Sequence, residues 1–186
     1  MRLAVFAFAA GLLALALAPA RAADPENTLY MDVPAGRVVI ALRPDLAPLT
    51  VAHIKELTRR GFYDGLAFHR VIDGFMAQTG DPKGNGTGGS GHTVKAEFSQ
   101  GHFVRGTVGL ARANDPDSGD SQFFICYKPV PALDGQYTIF GQVVSGMEYI
   151  DAIKKGDPSR NGMVTNPDHI VRMQIAADAD KQQKKS

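Results

Sequence analysis

Alternating hydrophobic and polar positions predict that this chain is built mainly from β-strands. Apolar residues two positions apart, as at Val38, Ile40 and Leu42, are typical of a strand that buries one face. Segments of this kind occur about eight times and are mostly joined by short turns rich in glycine, proline and aspartate. The predicted strands are residues 28–33, 36–42, 67–72, 75–79, 107–111, 121–126, 138–144 and 170–176.

Two segments instead have the apolar spacing of amphipathic helices. In residues 48–60, Val51, Ile54 and Leu57 form the apolar side, and residues 147–155 repeat this spacing. We therefore expect a mainly β fold, a closed eight-stranded antiparallel β-barrel capped by two α-helices. Closure is favoured because it removes strand edges that would otherwise be exposed.

The start of the chain has the pattern of a secretory signal peptide. An arginine precedes an uncharged apolar run at residues 3–17, and the small residues Ala20 and Ala22 follow. A membrane anchor is the alternative, but a spanning helix needs about 20 apolar residues, and this run is shorter. We expect residues 1–22 to be removed by cleavage after Ala22, or else after Ala23.

Charge and cysteine content narrow the classes of function further. Without residues 1–22, which hold two of the 20 basic residues and no acidic one, the formal charge falls from +1 to −1 and excludes the strongly basic surface of nucleic-acid-binding or membrane-binding proteins. The single cysteine, Cys126, cannot form an intrachain disulfide and is expected to be buried and inert. We expect one domain at residues 27–177, a polar disordered tail at 178–186, and a periplasmic monomer without stable membrane association.

The stretch from residue 68 to 81 combines apolar side chains with one permanent cation. Its Asp-Gly pair at 73–74 predicts a hairpin. Alternate residues of a strand share a face, so the hairpin brings Arg70, Met76 and Gln78 onto one surface. The alternative is that Arg70 is an ordinary salt-bridged surface arginine, although its apolar surroundings disfavour this.

Other kinds of chemistry lack their characteristic patterns. The histidines have no metal-ligand spacing, Ser121 has no Gly-x-Ser-x-Gly elbow, and the glycine-rich segment 80–91 lacks a phosphate-loop ending. Rotation about a prolyl peptide bond needs neither a nucleophile nor a base, because its barrier is amide resonance of ~18–20 kcal/mol. Arg70 could donate to the nitrogen of the twisted bond and so stabilise the transition state.

Five segments resemble the cyclophilin family of peptidyl-prolyl cis-trans isomerases, and most closely its exported bacterial members. The likeness runs from about residue 27 to 177. It implies an eight-stranded barrel with two helices, and isomerase activity without a metal or cofactor. The matching segments are residues 68–78, 86–89, 121–125, 133–135 and 140–143.

The resemblance also implies roles for individual residues. Arg70 is similar to the catalytic arginine of the family, and Ala111 and Arg112 to the positions whose backbone binds the residue before proline. His69 matches a family histidine, but the predicted strand directs it away from Arg70, and no role is assigned to it. The walls of the proline pocket and the substrate-orienting amides correspond to Phe75, Met76, Phe124 and Leu133, and to Gln78 and Gln122 respectively.

Departures from the family affect ligand binding more than catalysis. Ala132 stands where animal members often have tryptophan, so the resemblance implies weak cyclosporin binding. Tyr137 replaces a histidine and can close the pocket with its ring and hydroxyl. We expect an enzyme that acts on proline-containing peptides and on unfolded or flexible exported proteins. The alternative is a proline-peptide binding module or chaperone with incidental turnover.

Overall fold

A computed structural model describes residues 24–183 of the chain. The predicted signal peptide at 1–22 and the last three residues of the predicted tail lie outside this part. Eight strands form one antiparallel sheet. Their bounds are β1 Thr28–Val33, β2 Gly36–Leu42, β3 Arg70–Ile72, β4 Met76–Thr79, β5 Thr107–Leu110, β6 Phe123–Cys126, β7 Ile139–Ser145 and β8 Arg172–Ile175.

The sheet curls until its two edges approach each other. Its strand order is β3-β4-β6-β5-β7-β2-β1-β8, so β3 and β8 are the edge strands. A single bridge between Ala67 and His169, together with a 2.9 Å hydrogen bond from Phe68 N to Asp168 O, joins the segments preceding these edges. The predicted mainly β fold with eight antiparallel strands is confirmed. Ile170 also exchanges backbone hydrogen bonds with Gly65 and Leu66, at 2.7 and 2.8 Å. The edges therefore meet only through these loop contacts, and the sheet is a curled half-barrel and not the fully closed barrel predicted from the sequence, because β3 and β8 form no ladder.

Both predicted helices are present in the structure. Helix α1, Pro48–Arg59, buries its apolar side, and the carboxylate of Glu97 accepts hydrogen bonds from the first free amides, at Leu49 and Thr50. Helix α2, Met147–Asp151, is shorter than predicted because the Lys154 amide turns away to donate to a side chain, that of Asp168.

A further helix, α3, covers Ala176–Gln183. The predicted disordered tail is therefore wrong for residues 178–183. Arg59 of α1 donates to the Asp178 carboxylate at 2.8 Å, and this ion pair ties α3 to the body of the domain. Among residues 24–183, no helix is long and apolar enough to cross a membrane.

Strand β6 explains how the sheet supports two apolar clusters. Phe123 and Ile125 enter the main core, whereas Phe124 and Cys126 belong to a second cluster on the other side of the sheet. Since successive side chains of a strand point to opposite faces, one uniformly apolar strand serves both. The second cluster also contains Met76, Phe103 and Ile139. It lies directly beneath the cavity described next.

Candidate active site

The cation of the hairpin is held in a defined position. Arg70 of β3 pairs with Gln78 of β4, and the intervening turn is closed by a 3.0 Å hydrogen bond from Phe75 N to Ile72 O. Gly74 in this turn has a φ of 63°, which glycine adopts without strain. Arg70 Nη1 therefore reaches Gln78 Oε1 at 3.0 Å.

Side-chain amides extend this contact across the sheet. Gln78 Nε2 donates to Gln122 Oε1 at 2.9 Å. Gln122 Nε2 in turn donates to the carbonyl oxygens of Gly86 and Gly88, at 3.1 and 2.8 Å. Arg70, two glutamines and the glycine-rich loop thus form one continuous hydrogen-bonded chain.

The glycine-rich loop is fixed by a buried carboxylate. Asp81, which is 1% exposed, accepts hydrogen bonds from the backbone amides of Lys83, Asn85 and Gly86. Burial alone would raise the pKa of Asp81, but these donors outweigh it and the pKa is lowered below the ordinary 3.8. The loop turns amides towards its own aspartate and carbonyls towards Gln122, an arrangement unlike a phosphate cradle.

Beside Arg70 lies a cavity of about 370 Å³ with an apolar floor. Met76 and Phe124 are the buried apolar residues of its lining, and Phe124 packs edge-to-face against Tyr137 with ring centroids 5.7 Å apart. Leu133 ends a 3₁₀ turn, and the next residue, Asp134, fixes that turn by accepting from Phe103 N at 2.8 Å. The floor is therefore held from below and from the side.

Arg112 forms the rim of the cavity together with Tyr137. Its guanidinium carbon lies 4.7 Å from the centre of the Tyr137 ring, and Nη2 donates to the Gln136 carbonyl at 3.0 Å. A second hydrogen bond, from Nη1, reaches the Ala113 carbonyl at 2.9 Å. Arg112 thereby connects the segment after β5 to the tyrosine that closes the cavity.

The structure brings nine of the ten predicted site residues to this one cavity. The tenth, Gln122, lines an adjoining cavity of about 330 Å³ and contacts Gln78. Their individual roles stay predictions. Further lining residues that the sequence reasoning did not assign to the site are His69, Asn85, Gly86, Asn161 and Met163.

His69 departs from the predicted strand geometry. It was expected to point away from Arg70, but it lines the same cavity while being only 1% exposed. The strand alternation fails because β3 begins at Arg70, one residue later. Burial lowers the pKa of His69 below its ordinary 6.5, although Asp81 opposes this shift.

The positive charge of Arg70 is not neutralised by its hydrogen-bond partners. Its Nε donates to the Asn161 carbonyl at 3.0 Å, and Nη2 donates to Asn161 Oδ1 at 3.1 Å. Within residues 24–183, its hydrogen-bond partners are the neutral oxygens of Gln78 and Asn161, not a carboxylate. Burial lowers the pKa of Arg70 from 12.5, yet a guanidinium stays protonated at neutral pH. Three of its five N–H groups are used, so one on each terminal nitrogen is left.

Comparisons with known proteins agree with this geometry. Residues 28–175 match the model of the family described as cyclophilin type peptidyl-prolyl cis-trans isomerase/CLD. A probable peptidyl-prolyl cis-trans isomerase of Brucella suis is 55% identical over 175 residues, covering 88% of this chain and 89% of that protein.

Two solved structures are also similar. A cyclophilin from Hirschia baltica has a TM-score of 0.74 at 27% identity, covering 83% of this chain and 76% of that one. A cyclophilin-type isomerase from Cryptosporidium parvum, determined in the presence of the dipeptide Ala-Pro, has a TM-score of 0.72 at 27% identity. That match covers 80% of this chain and 98% of the other.

Proposed function

Since the chain belongs to the cyclophilin family of peptidyl-prolyl cis-trans isomerases, we propose that Arg70 drives its reaction by donating a hydrogen bond to the prolyl nitrogen of the twisted peptide bond. In the planar amide the nitrogen lone pair is delocalised into the carbonyl group. As the bond rotates, the lone pair localises and becomes an acceptor. A donor placed there stabilises the transition state and not the ground state.

One observation carries this proposal: Arg70 is anchored by neutral acceptors and keeps two N–H groups beside a cavity with an apolar floor. A carboxylate partner would offset its charge, whereas amide oxygens orient it without doing so. A hydrogen bond from a charged donor contributes about 1.5–3 kcal/mol, which corresponds to roughly a ten- to hundredfold change in rate.

The cavity floor supplies the complementary binding site. Phe75, Met76, Phe124 and Leu133 present a surface on which an apolar proline ring loses contact with water. Ala111 and Arg112 at the rim would bind the residue before proline, and the amides of Gln78 and Gln122 would orient the flanking peptide groups. The neighbour determined in the presence of Ala-Pro supports proline-containing peptides as the ligand class.

The direct test is an isomerisation assay on a proline peptide, performed by NMR exchange so that no coupling protease is needed. We expect Arg70→Ala to lower kcat/KM by roughly ten- to hundredfold while the protein stays folded. Arg60→Ala is the matched control, because the Arg60 side chain, directly after α1, is 67% exposed. Unchanged catalysis by folded Arg70→Ala would rule out the proposed mechanism.

We further propose that the enzyme acts in the periplasm on exported proteins as they fold, and that it does so as a monomer. The support for the location is the apolar run with its small-residue ending in residues 1–22. Cell fractionation and mass measurement of the purified native protein test this proposal. Retention of residues 1–22 on a cytoplasmic protein would contradict the proposed location. Light scattering gives the oligomeric state, and the mass of a dimer would contradict the proposed monomer.

A further inference from the structure

Asn161 contacts Arg70 through two different atoms. Its main-chain carbonyl accepts from Arg70 Nε at 3.0 Å, and its side-chain Oδ1 accepts from Nη2 at 3.1 Å. The two nitrogens lie on one edge of the planar guanidinium, so this pair of contacts fixes the direction of the plane. Gln78 then holds the remaining terminal nitrogen at 3.0 Å.

Backbone conformation lets Asn161 make both contacts. A 3₁₀ turn, Pro158–Arg160, ends at Asn161, which adopts a left-handed φ of 54°. Asparagine tolerates this region better than most residues with a side chain. The turn is closed by a 2.9 Å hydrogen bond from Gly162 N to Asp157 O.

The turn is fastened to the strand that carries Arg70. Val71 N donates to the Gly162 carbonyl at 2.8 Å, and Met163 forms a bridge with Arg70 itself. A side chain at Gly162 would come within 2.5 Å of Ile72, so this close approach requires glycine. Asn161 is thus held in register with β3 although it is exposed at the surface.

We propose that Asn161 is a positioning residue, which directs the two unused N–H groups of Arg70 at the substrate without neutralising its charge. The inference rests on the proposed role of Arg70. Without Asn161, only the contact of Nη1 with Gln78 would hold the guanidinium. The group would then rotate about its side-chain bonds and present its donors to the prolyl nitrogen for a smaller part of the time. Since the twisted bond is short-lived, such a loss lowers kcat more than it raises KM.

Asn161→Gly separates the two contacts. Glycine adopts a positive φ freely, so the main-chain carbonyl stays in place while Oδ1 is lost. We expect kcat to fall about three- to tenfold, with KM changing less than about twofold. Asn166→Gly is the matched control, since Asn166 also has a left-handed φ, of 52°, and lines neither cavity of the site. Asn161→Gly with the kcat of the wild-type enzyme would overturn the proposal.

A double-mutant cycle distinguishes positioning from a merely structural effect. If Asn161 acts through Arg70, Asn161→Gly has no further effect on the residual rate of Arg70→Ala. If the same factor is lost in both backgrounds, Asn161 acts by another route and the proposal fails. Wild-type activity in Arg70→Ala alone would instead refute the proposed function, so the two failures are distinguishable.

NMR of the Arg70 guanidinium gives a readout that does not depend on activity. We expect hindered rotation of its terminal nitrogens in the wild-type enzyme and faster rotation in Asn161→Gly. Asn161→Asp keeps an oxygen acceptor in the same place and tolerates the same backbone, so its guanidinium should stay fixed even if the glycine variant is unstable. Free rotation in the wild-type enzyme or in folded Asn161→Asp would contradict the proposal.

Discussion

Gly109 of β5 lies directly opposite Phe124 of β6, and the space between them is too small for a methyl group. A Cβ atom at residue 109 would lie 2.5 Å from Phe124 Cζ and 2.7 Å from Phe103 Cε1. The two rings stack with centroids 5.7 Å apart, and Phe124 forms the floor of the cavity. The depth of the cavity therefore depends on the absence of a side chain from a neighbouring strand.

Gly109→Ala is expected to push Phe124 into the cavity and to weaken substrate binding. Overpacking of this kind typically costs about 1–3 kcal/mol, because the neighbouring rings must leave their preferred positions. We expect KM for a proline peptide to rise several-fold and the midpoint of thermal unfolding to fall. Gly141→Ala is the control for overpacking away from the cavity, because a Cβ there would lie 2.9 Å from Ile40 Cγ2 in the main core and its φ, like that of Gly109, is not left-handed. Unaltered peptide affinity in Gly109→Ala would show that the floor adapts freely.

Arg112→Gln is expected to loosen Tyr137 at the rim. The variant removes a cation that lies 4.7 Å from the centre of the tyrosine ring and donates to the carbonyl just before it. Exposed cation–π contacts contribute about 0.5–1 kcal/mol, so KM should rise roughly two- to fivefold. Titration of a proline peptide followed by the Tyr137 ring signals measures both binding and ring mobility. A ring as rigid as in the wild-type enzyme would show that Phe124 alone fixes it.

Cys126 is expected to resist thiol reagents in the folded enzyme. It is fully buried in the cluster beneath the cavity, and burial raises its pKa to about 12. The thiolate is the reactive form, so labelling must await local or global unfolding. Reaction with an aromatic disulfide should be complete in denaturant and negligible in buffer. Fast labelling of the native protein would show that the cluster opens without unfolding.

Ala132→Trp is expected to increase the affinity for cyclosporin. Ala132 is exposed in the 3₁₀ turn that also supplies Leu133 to the cavity, so the larger ring can be added without displacing the core. Inhibition of isomerisation by cyclosporin, measured for both proteins, tests the inferred weak binding. Strong inhibition of the wild-type enzyme would show that the tryptophan position is not decisive here.

Local patterns predicted the parts of the site that lie close together in sequence. The Asp-Gly turn fixes the register of β3 and β4, so the pairing of Arg70 with Gln78 followed from alternation alone. Asn161 could not be found in this way, because it lies 91 residues from Arg70 in a loop without periodicity. The Asn-Gly pair at residues 161–162 was the available signal, and it predicts a turn but not a partner.

The errors in the predicted fold also have physical causes. The sequence of α3 predicts a disordered tail because it is mostly polar, and the Arg59–Asp178 ion pair that anchors the helix joins distant parts of the chain. A regular strand from residue 67 predicts that His69 points away from the cavity, but β3 begins only at Arg70. In both cases, contacts between distant segments determined the local structure.

Stability is expected to fall as the pH drops below 6.5, and His69 should account for part of this loss. Its folded pKa is lowered by burial, so between that value and 6.5 the unfolded chain binds a proton that the folded protein does not. The contribution of the neutral histidine is therefore complete above 6.5 and is lost as the pH falls through the folded pKa. Asp81, whose folded pKa is also lowered, adds a second loss below 3.8.

His69→Gln should reduce the pH dependence of unfolding in the upper window and leave the lower one in place. Denaturant titrations at intervals between pH 7 and pH 3 give the free energy of unfolding needed for this comparison. His92→Gln, which removes an exposed histidine, controls for the loss of a titratable ring. The decisive quantity is the slope of the free energy of unfolding against pH, taken between neutral pH and the folded pKa of His69. A change in overall stability alone would shift every point equally and leave this slope unchanged. An unchanged slope in His69→Gln would mean that this histidine is solvated in the folded protein.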